Sequence, residues 1–222
     1  MKKTNLVMND PNDPPKRSAL EEVGNSVTHG IGAALSAVAM ILMIISAKGG
    51  AQIAGAVIYG TGLFVMFTMS CLYHSFAHGT TVKRVFRRFD YACIYLLIGA
   101  TFAPILLSYV GGGFGYSFFV VQWCAIIFGV TLVGVFGPGA FRGMRIALYL
   151  ILGWSGLMLL PVMFARGDYL FIGCILGGGV IYSVGIIPYA LHKPAAHFVW
   201  HFFVLFGALV QWIGVYVQIY MA

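Results

Sequence analysis

Charge is what this sequence lacks. Only 13 basic and 6 acidic residues stand among 222, or 9% of the chain. Soluble domains carry about 25% charged residues, because a water-facing surface needs them. This scarcity excludes a soluble enzyme, a nucleic-acid-binding domain and a disordered segment. Paired cysteines are missing too: Cys71, Cys93, Cys124 and Cys174 sit apart within apolar runs. They read as small buried thiols, which excludes a secreted disulfide framework. The first 22 residues, polar and broken by proline, contain no apolar run of signal-peptide length. They read as a flexible cytosolic tail, with residues 23–222 forming the membrane domain. The ten-residue alternating segments of a membrane β-barrel are absent, and no internal repeat points to an inverted-repeat transporter.

Apolar residues fill the space that charge leaves: 60% of the chain is hydrophobic, with a mean hydropathy of +0.92. The apolar runs approach the roughly 20 residues that cross about 30 Å of hydrocarbon. They predict seven helices, at about Ser26–Ala47, Gln52–Ala77, Phe89–Tyr109, Tyr116–Gly137, Met144–Met163, Tyr169–Leu191 and His197–Met221. The expected fold is an all-α seven-transmembrane bundle, since helices satisfy their own backbone groups in lipid. Basic residues sort by side. Lys2, Lys3, Lys16, Arg17, Lys83, Arg84, Arg87, Arg88, Arg142, Arg145 and Lys193 share one face, and only Lys48 and Arg166 lie on the other. The positive-inside bias then predicts a cytosolic N-terminus and an outside C-terminus. Many of the 29 glycines fall inside spans, as in Gly173-xxx-Gly177 with Gly178 and Gly179, a pattern that suits close helix packing.

Ionisable groups at membrane depth are costly, so each one requires a partner or a task. His197 and His201 stand at i and i+4, which sets both imidazoles on one helix face. That spacing suits a shared zinc ion, and equally a pair of interfacial histidines. The predicted topology brings His74, at the end of the second helix, and Asp90, at the start of the third, to the same face as these two. Three neutral imidazoles leave a tetrahedral zinc one open position, as in catalytic sites. Asp90 would orient or deprotonate a water there, or ligate the metal, or instead pair with Arg87 or Arg88. Ser70, one turn before His74, would hydrogen-bond within the site, polarise a substrate carbonyl, or bond back to its own helix. His78 reads as interfacial, His192 as loop and Cys71 as a poor ligand candidate. His29 has no partner at helical spacing. A retinal protein is excluded because the seventh helix lacks lysine, and bis-histidine haem ligation would leave one imidazole spare.

The stretches GNSVTHGIGA (24–33), SCLYHSF (70–76), RRFDYACIYLLIGATFAP (87–104) and HFVWHFFV (197–204) resemble the hemolysin III family. That family is related to the progestin and adipoQ receptors and shares a superfamily with the alkaline ceramidases. The resemblance runs from about Leu20 to the C-terminus and implies seven helices with the N-terminus inside. It further implies zinc on His74, His197 and His201, with the family's serine at Ser70 and its aspartate at Asp90. Glu21 or Glu22 and Asn25 match an amino-terminal motif that suggests no chemical role from sequence. The function it implies is a zinc-dependent hydrolase of lipid amides or esters in the bacterial inner membrane, acting in lipid homeostasis. The alternatives are a non-catalytic zinc-stabilised receptor or sensor, and a pore-forming cytolysin.

Overall fold

Lipid offers no hydrogen bonds to a peptide group, and the chain answers with helix throughout. The computed structural model describes residues 10–191 and 193–222, so Lys2, Lys3 and His192 lie outside the described residues. Seven helices there are long and apolar enough to cross a membrane: α1 (Ala19–Ser46), α2 (Gly50–Ser75), α3 (Thr81–Val110), α4 (Gly112–Phe136), α5 (Arg142–Arg166), α6 (Tyr169–Ala190) and α7 (Ala196–Met221). No strand occurs among the described residues. Helices α1, α2 and α3 pack in sequence, α6 lies along α7, and α7 returns against α1. That closure brings the two ends of the chain's helical part together around α2.

Two helices begin earlier than hydropathy predicts. Ser18 caps α1 by accepting the Glu21 backbone N–H at 3.2 Å, so the helix opens at Ala19 rather than near Ser26. The stretch Ser18-Ala-Leu-Glu21 is a capping-box sequence, and it extends α1 by two turns of mixed polarity. Thr80 caps α3 in the same manner through the Lys83 N–H. The basic stretch Lys83–Arg88, read from sequence as a loop, therefore forms the first turns of α3, and Asp90 lies well inside the helix rather than at its start. Lysine and arginine are good helix formers, and their low hydropathy hides that fact.

The residues before α1 are held against the bundle. The Asn12 side chain donates to the Phe136 carbonyl and accepts the Gly139 N–H, while Arg87 Nη1 donates to the carbonyls of Pro11 and Asp13. The expected flexible tail is thus, from residue 10 onward, a strap across the basic face. Proline shapes two spans. After Pro104 the last turn of α3 widens into a π-helical segment, Ile105–Val110. In α5 a 3₁₀ turn at Ser155–Leu159 precedes Pro161, which cannot donate to the turn before it.

Close packing depends on particular glycines. A Cβ on Gly62 of α2 would stand 2.2 Å from Ala100 Cβ of α3, so only glycine permits that crossing. In the predicted small-residue run of α6, Gly178 is the position pressed on a neighbour. A Cβ there would meet Gln211 Cγ of α7 at 2.3 Å, whereas Gly173 faces open space.

Candidate metal centre

His74 is carried on the last turn of α2, and His197 and His201 on the first two turns of α7. Ala195, in the left-handed region at φ 59°, turns the chain so that His197 is the second residue of α7. His74 and His201 are buried and His197 is half-buried. Their Nε2 atoms converge: His197 lies 3.3 Å from His74, and His201 lies 3.3 Å from His197. Bonds of about 2.0–2.1 Å at tetrahedral angles place neighbouring nitrogens about 3.3–3.4 Å apart. The three residues can therefore hold one metal ion.

The outward nitrogens of two rings are held by α1. Glu22 Oε2 stands 2.5 Å from His74 Nδ1, and the Asn25 amide lies 3.4 Å from the same atom. Thr28 Oγ1, 3.5 Å from His201 Nδ1, already donates to the Gly24 and Asn25 carbonyls and so is free to accept there. The Glu22 and Thr28 contacts favour protons on Nδ1 and leave the Nε2 lone pairs facing the centre, the arrangement a metal-binding imidazole needs. Glu22 is held in turn by Lys83 Nζ at 2.9 Å. That ammonium is fully buried and also donates to the carbonyls of Tyr73 and Phe76. A chain of contacts thus runs Lys83, Glu22, His74, across α3, α1 and α2.

Ser70 and Asp90 complete the cluster. Ser70 is buried on α2, and Asp90 stands near its hydroxyl. Asp90 also lies within electrostatic reach of His74. Neither Arg87 nor Arg88 forms a salt bridge with it: Arg87 Nη1 is engaged by the strap and Arg88 Nη1 by the Gly134 carbonyl. His29 is a fourth histidine at the centre. Its ring stacks on His201 with centroids 3.7 Å apart, and both its nitrogens are buried without a partner among the described residues. His78 is exposed, and the Cys71 sulfur faces Ser26, away from the three histidines.

Sequence reasoning brought together the three histidines, Ser70 and Asp90, but left Glu22, Asn25 and Thr28 without a task. The missed signal is the Ser18–Glu21 capping box. Once α1 begins at Ala19, Glu22, Asn25 and His29 fall at spacings of three and four on one buried face.

Two cavities flank the cluster. One, of about 670 Å³, opens at the basic face, and His197 is among its walls. The other, of about 130 Å³, lies between α3, α5, α6 and α7 and is lined by Leu97, Phe102, Tyr182, Trp200 and Val204. Tyr189 borders both.

A family model described as "Haemolysin-III related" matches residues 17–212. "Hemolysin-3" of Bacillus cereus is 33% identical over 195 residues, covering 86% of this chain and 88% of that protein. "Hemolysin-3 homolog" of Bacillus subtilis (strain 168) is 33% identical over 192 residues, covering 85% and 89%. The human "Monocyte to macrophage differentiation factor" is 27% identical over 169 residues, covering 73% and 69%. This seven-helix chain is a multi-pass bacterial membrane protein and belongs to the haemolysin-III related family.

Proposed function

We propose that this protein is a zinc-dependent hydrolase of lipid amide or ester bonds, acting from within the bacterial inner membrane on its lipid composition. The observation that carries the reading is the pair of 3.3 Å Nε2 contacts, His74 to His197 and His197 to His201, beside Asp90, a carboxylate in no salt bridge among the described residues. Three converging imidazoles, two pairs of them at tetrahedral spacing, with a carboxylate behind one ring suit zinc better than harder, oxygen-seeking cations. Zinc at this position would polarise a carbonyl and make water a nucleophile near neutral pH.

The chain's own residues supply the rest. Asp90 accepts a proton from the attacking water and returns it to the departing nitrogen or oxygen. Ser70, whose hydroxyl stands near Asp90, would donate to it and so fix which carboxylate oxygen faces the reacting atoms. Glu22 and Thr28 orient the His74 and His201 rings from behind. The apolar cavity bordered by Trp200 and Val204 takes an acyl chain, and the opening beside His197 admits the polar end. The positive-inside bias sets this basic face toward the cytosol.

The non-catalytic alternative has one observation in its favour, since a metal on these residues would also tie α2 to α7. The pore reading has none: Tyr59, Met66, Phe67, Ile105 and Leu106 pack the bundle interior, where an aqueous channel needs a polar lining. Mass spectrometry of membrane lipids incubated with zinc-loaded wild type and with His201→Ala decides between catalysis and structure. A lipid consumed only by the wild type is expected. Identical profiles would leave the metal a structural role.

A further inference from the structure

We infer that the cavity at the basic face is a phosphate subsite, so that the ligand drawn toward His197 carries a phosphate group. Six cations line this cavity: Lys16, Arg17, Arg87, Arg142, Arg145 and Lys193. Its two acids are already engaged, Asp13 by Arg84 and Glu21 by Arg17. The positive-inside bias accounts for exposed cations such as Lys16, Arg142 and Lys193, which need only face headgroups and water. It does not account for Arg87 and Arg145, which are 8% and 4% exposed. A cation is withdrawn from water at a cost that partners must offset.

Those partners are incomplete. Arg87 Nη1 and Arg145 Nη1 hold backbone carbonyls of the strap and of the loop before α5. Arg87 Nε, Arg145 Nε and Arg17 Nη1 are buried donors without a hydrogen-bond partner among the described residues. Three separate elements thus set at the wall of one cavity a guanidinium that has a buried, unfilled N–H. The guanidinium groups are also held in place. The Arg145 Cζ lies 4.7 Å from the Tyr91 ring centroid and the Arg87 Cζ 5.5 Å from it, so one aromatic ring steadies both. Preorganised guanidinium forks suit a tetrahedral oxyanion, to which each can donate two parallel hydrogen bonds. A surplus of cations over acids favours a doubly charged phosphate monoester over a single carboxylate.

This inference deepens the hydrolase reading, and rests on it only in making the anion part of the substrate or product. Binding is measured independently of turnover. Full-length protein in a neutral detergent is titrated calorimetrically with dihexanoyl phosphatidate, dihexanoylglycerol and inorganic phosphate. Phosphatidate is expected to saturate one site and to bind at least tenfold more tightly than dihexanoylglycerol. Arg17→Gln, at the cavity wall, should weaken phosphatidate about tenfold, the cost of one charge-assisted hydrogen bond, and leave dihexanoylglycerol unchanged. Arg145→Gln is compared only if its metal content and thermal midpoint match the wild type. Raising salt should weaken phosphatidate binding in the wild type whatever that variant does.

Inorganic phosphate binding as tightly as phosphatidate supports the subsite and identifies a free anion as its source; much weaker binding identifies the lipid headgroup. Equal affinity for phosphatidate and dihexanoylglycerol, or indifference to both Arg17→Gln and salt, overturns the inference. Phosphatidate binding without any lipid turnover would defeat the hydrolase reading alone. Turnover of neutral lipids without phosphate preference would defeat the subsite alone.

Discussion

Glu22 Oε2 lies 2.5 Å from Nδ1 of His74, so the first turns of α1 set the orientation of a ring at the end of α2. A carboxylate behind a metal-binding imidazole fixes its tautomer and raises its basicity, and losing one typically costs 10–100-fold in metal affinity. Glu22→Gln should therefore keep the fold and lower zinc affinity by about that factor, read by competition against a chromophoric chelator. Unchanged affinity would mean that Glu22 serves only Lys83.

Lys83 is the buried cation of that chain, and its removal strands Glu22. Lys83→Met should destabilise the protein by about 3–5 kcal/mol, the usual cost of leaving one member of a buried pair alone. Combining it with Glu22→Gln should recover part of the loss. Unfolding of the single and double variants in mixed detergent micelles gives the coupling, and strictly additive losses would show that the two residues act separately.

The ring of His29 covers one face of His201 and hydrogen-bonds to nothing in the described chain. His29→Ala removes that support while sparing the three nitrogens, so zinc should remain stoichiometric but bind several-fold more weakly. Chelator competition measures the change. Complete loss of metal would instead make His29 a ligand.

At the α2–α3 crossing, Gly62→Ala forces a methyl group against Ala100, and overpacking of this kind costs about 1–3 kcal/mol. Gly173→Ala, on an open face, should be neutral within about 0.5 kcal/mol. Thermal midpoints of the two variants test the pair, and equal midpoints would place the close contact elsewhere.

Seven spans are legible in the sequence because lipid imposes one length and one hydropathy on every crossing. The histidine cluster is legible for a related reason: where charge is scarce, His74, Asp90, His197 and His201 stand out, and i,i+4 spacing pairs two of them. Helix starts are not legible from hydropathy, since Ala19–Asn25 and Thr81–Phe89 are helical but polar in part. That single blindness displaced Asp90 to a helix start and turned Lys83 into a loop residue. It also hid Glu22, whose partner is 52 residues away. Contacts at that separation depend on the angle at which α1 crosses α2, which a one-dimensional pattern does not encode. The strap at residues 11–13 escaped for another reason, because the Pro11 and Asp13 carbonyls held by Arg87 carry no side-chain signal and Asn12 meets its partners more than 100 residues away.

The centre itself is tested most directly by elemental analysis of the purified full-length protein beside the His197→Ala/His201→Ala double variant. The expected result is close to one zinc per chain in the wild type and almost none in the variant, with both remaining folded. A wild-type protein without zinc, or a double variant that keeps it, would contradict the assignment of His74, His197 and His201 as the metal site.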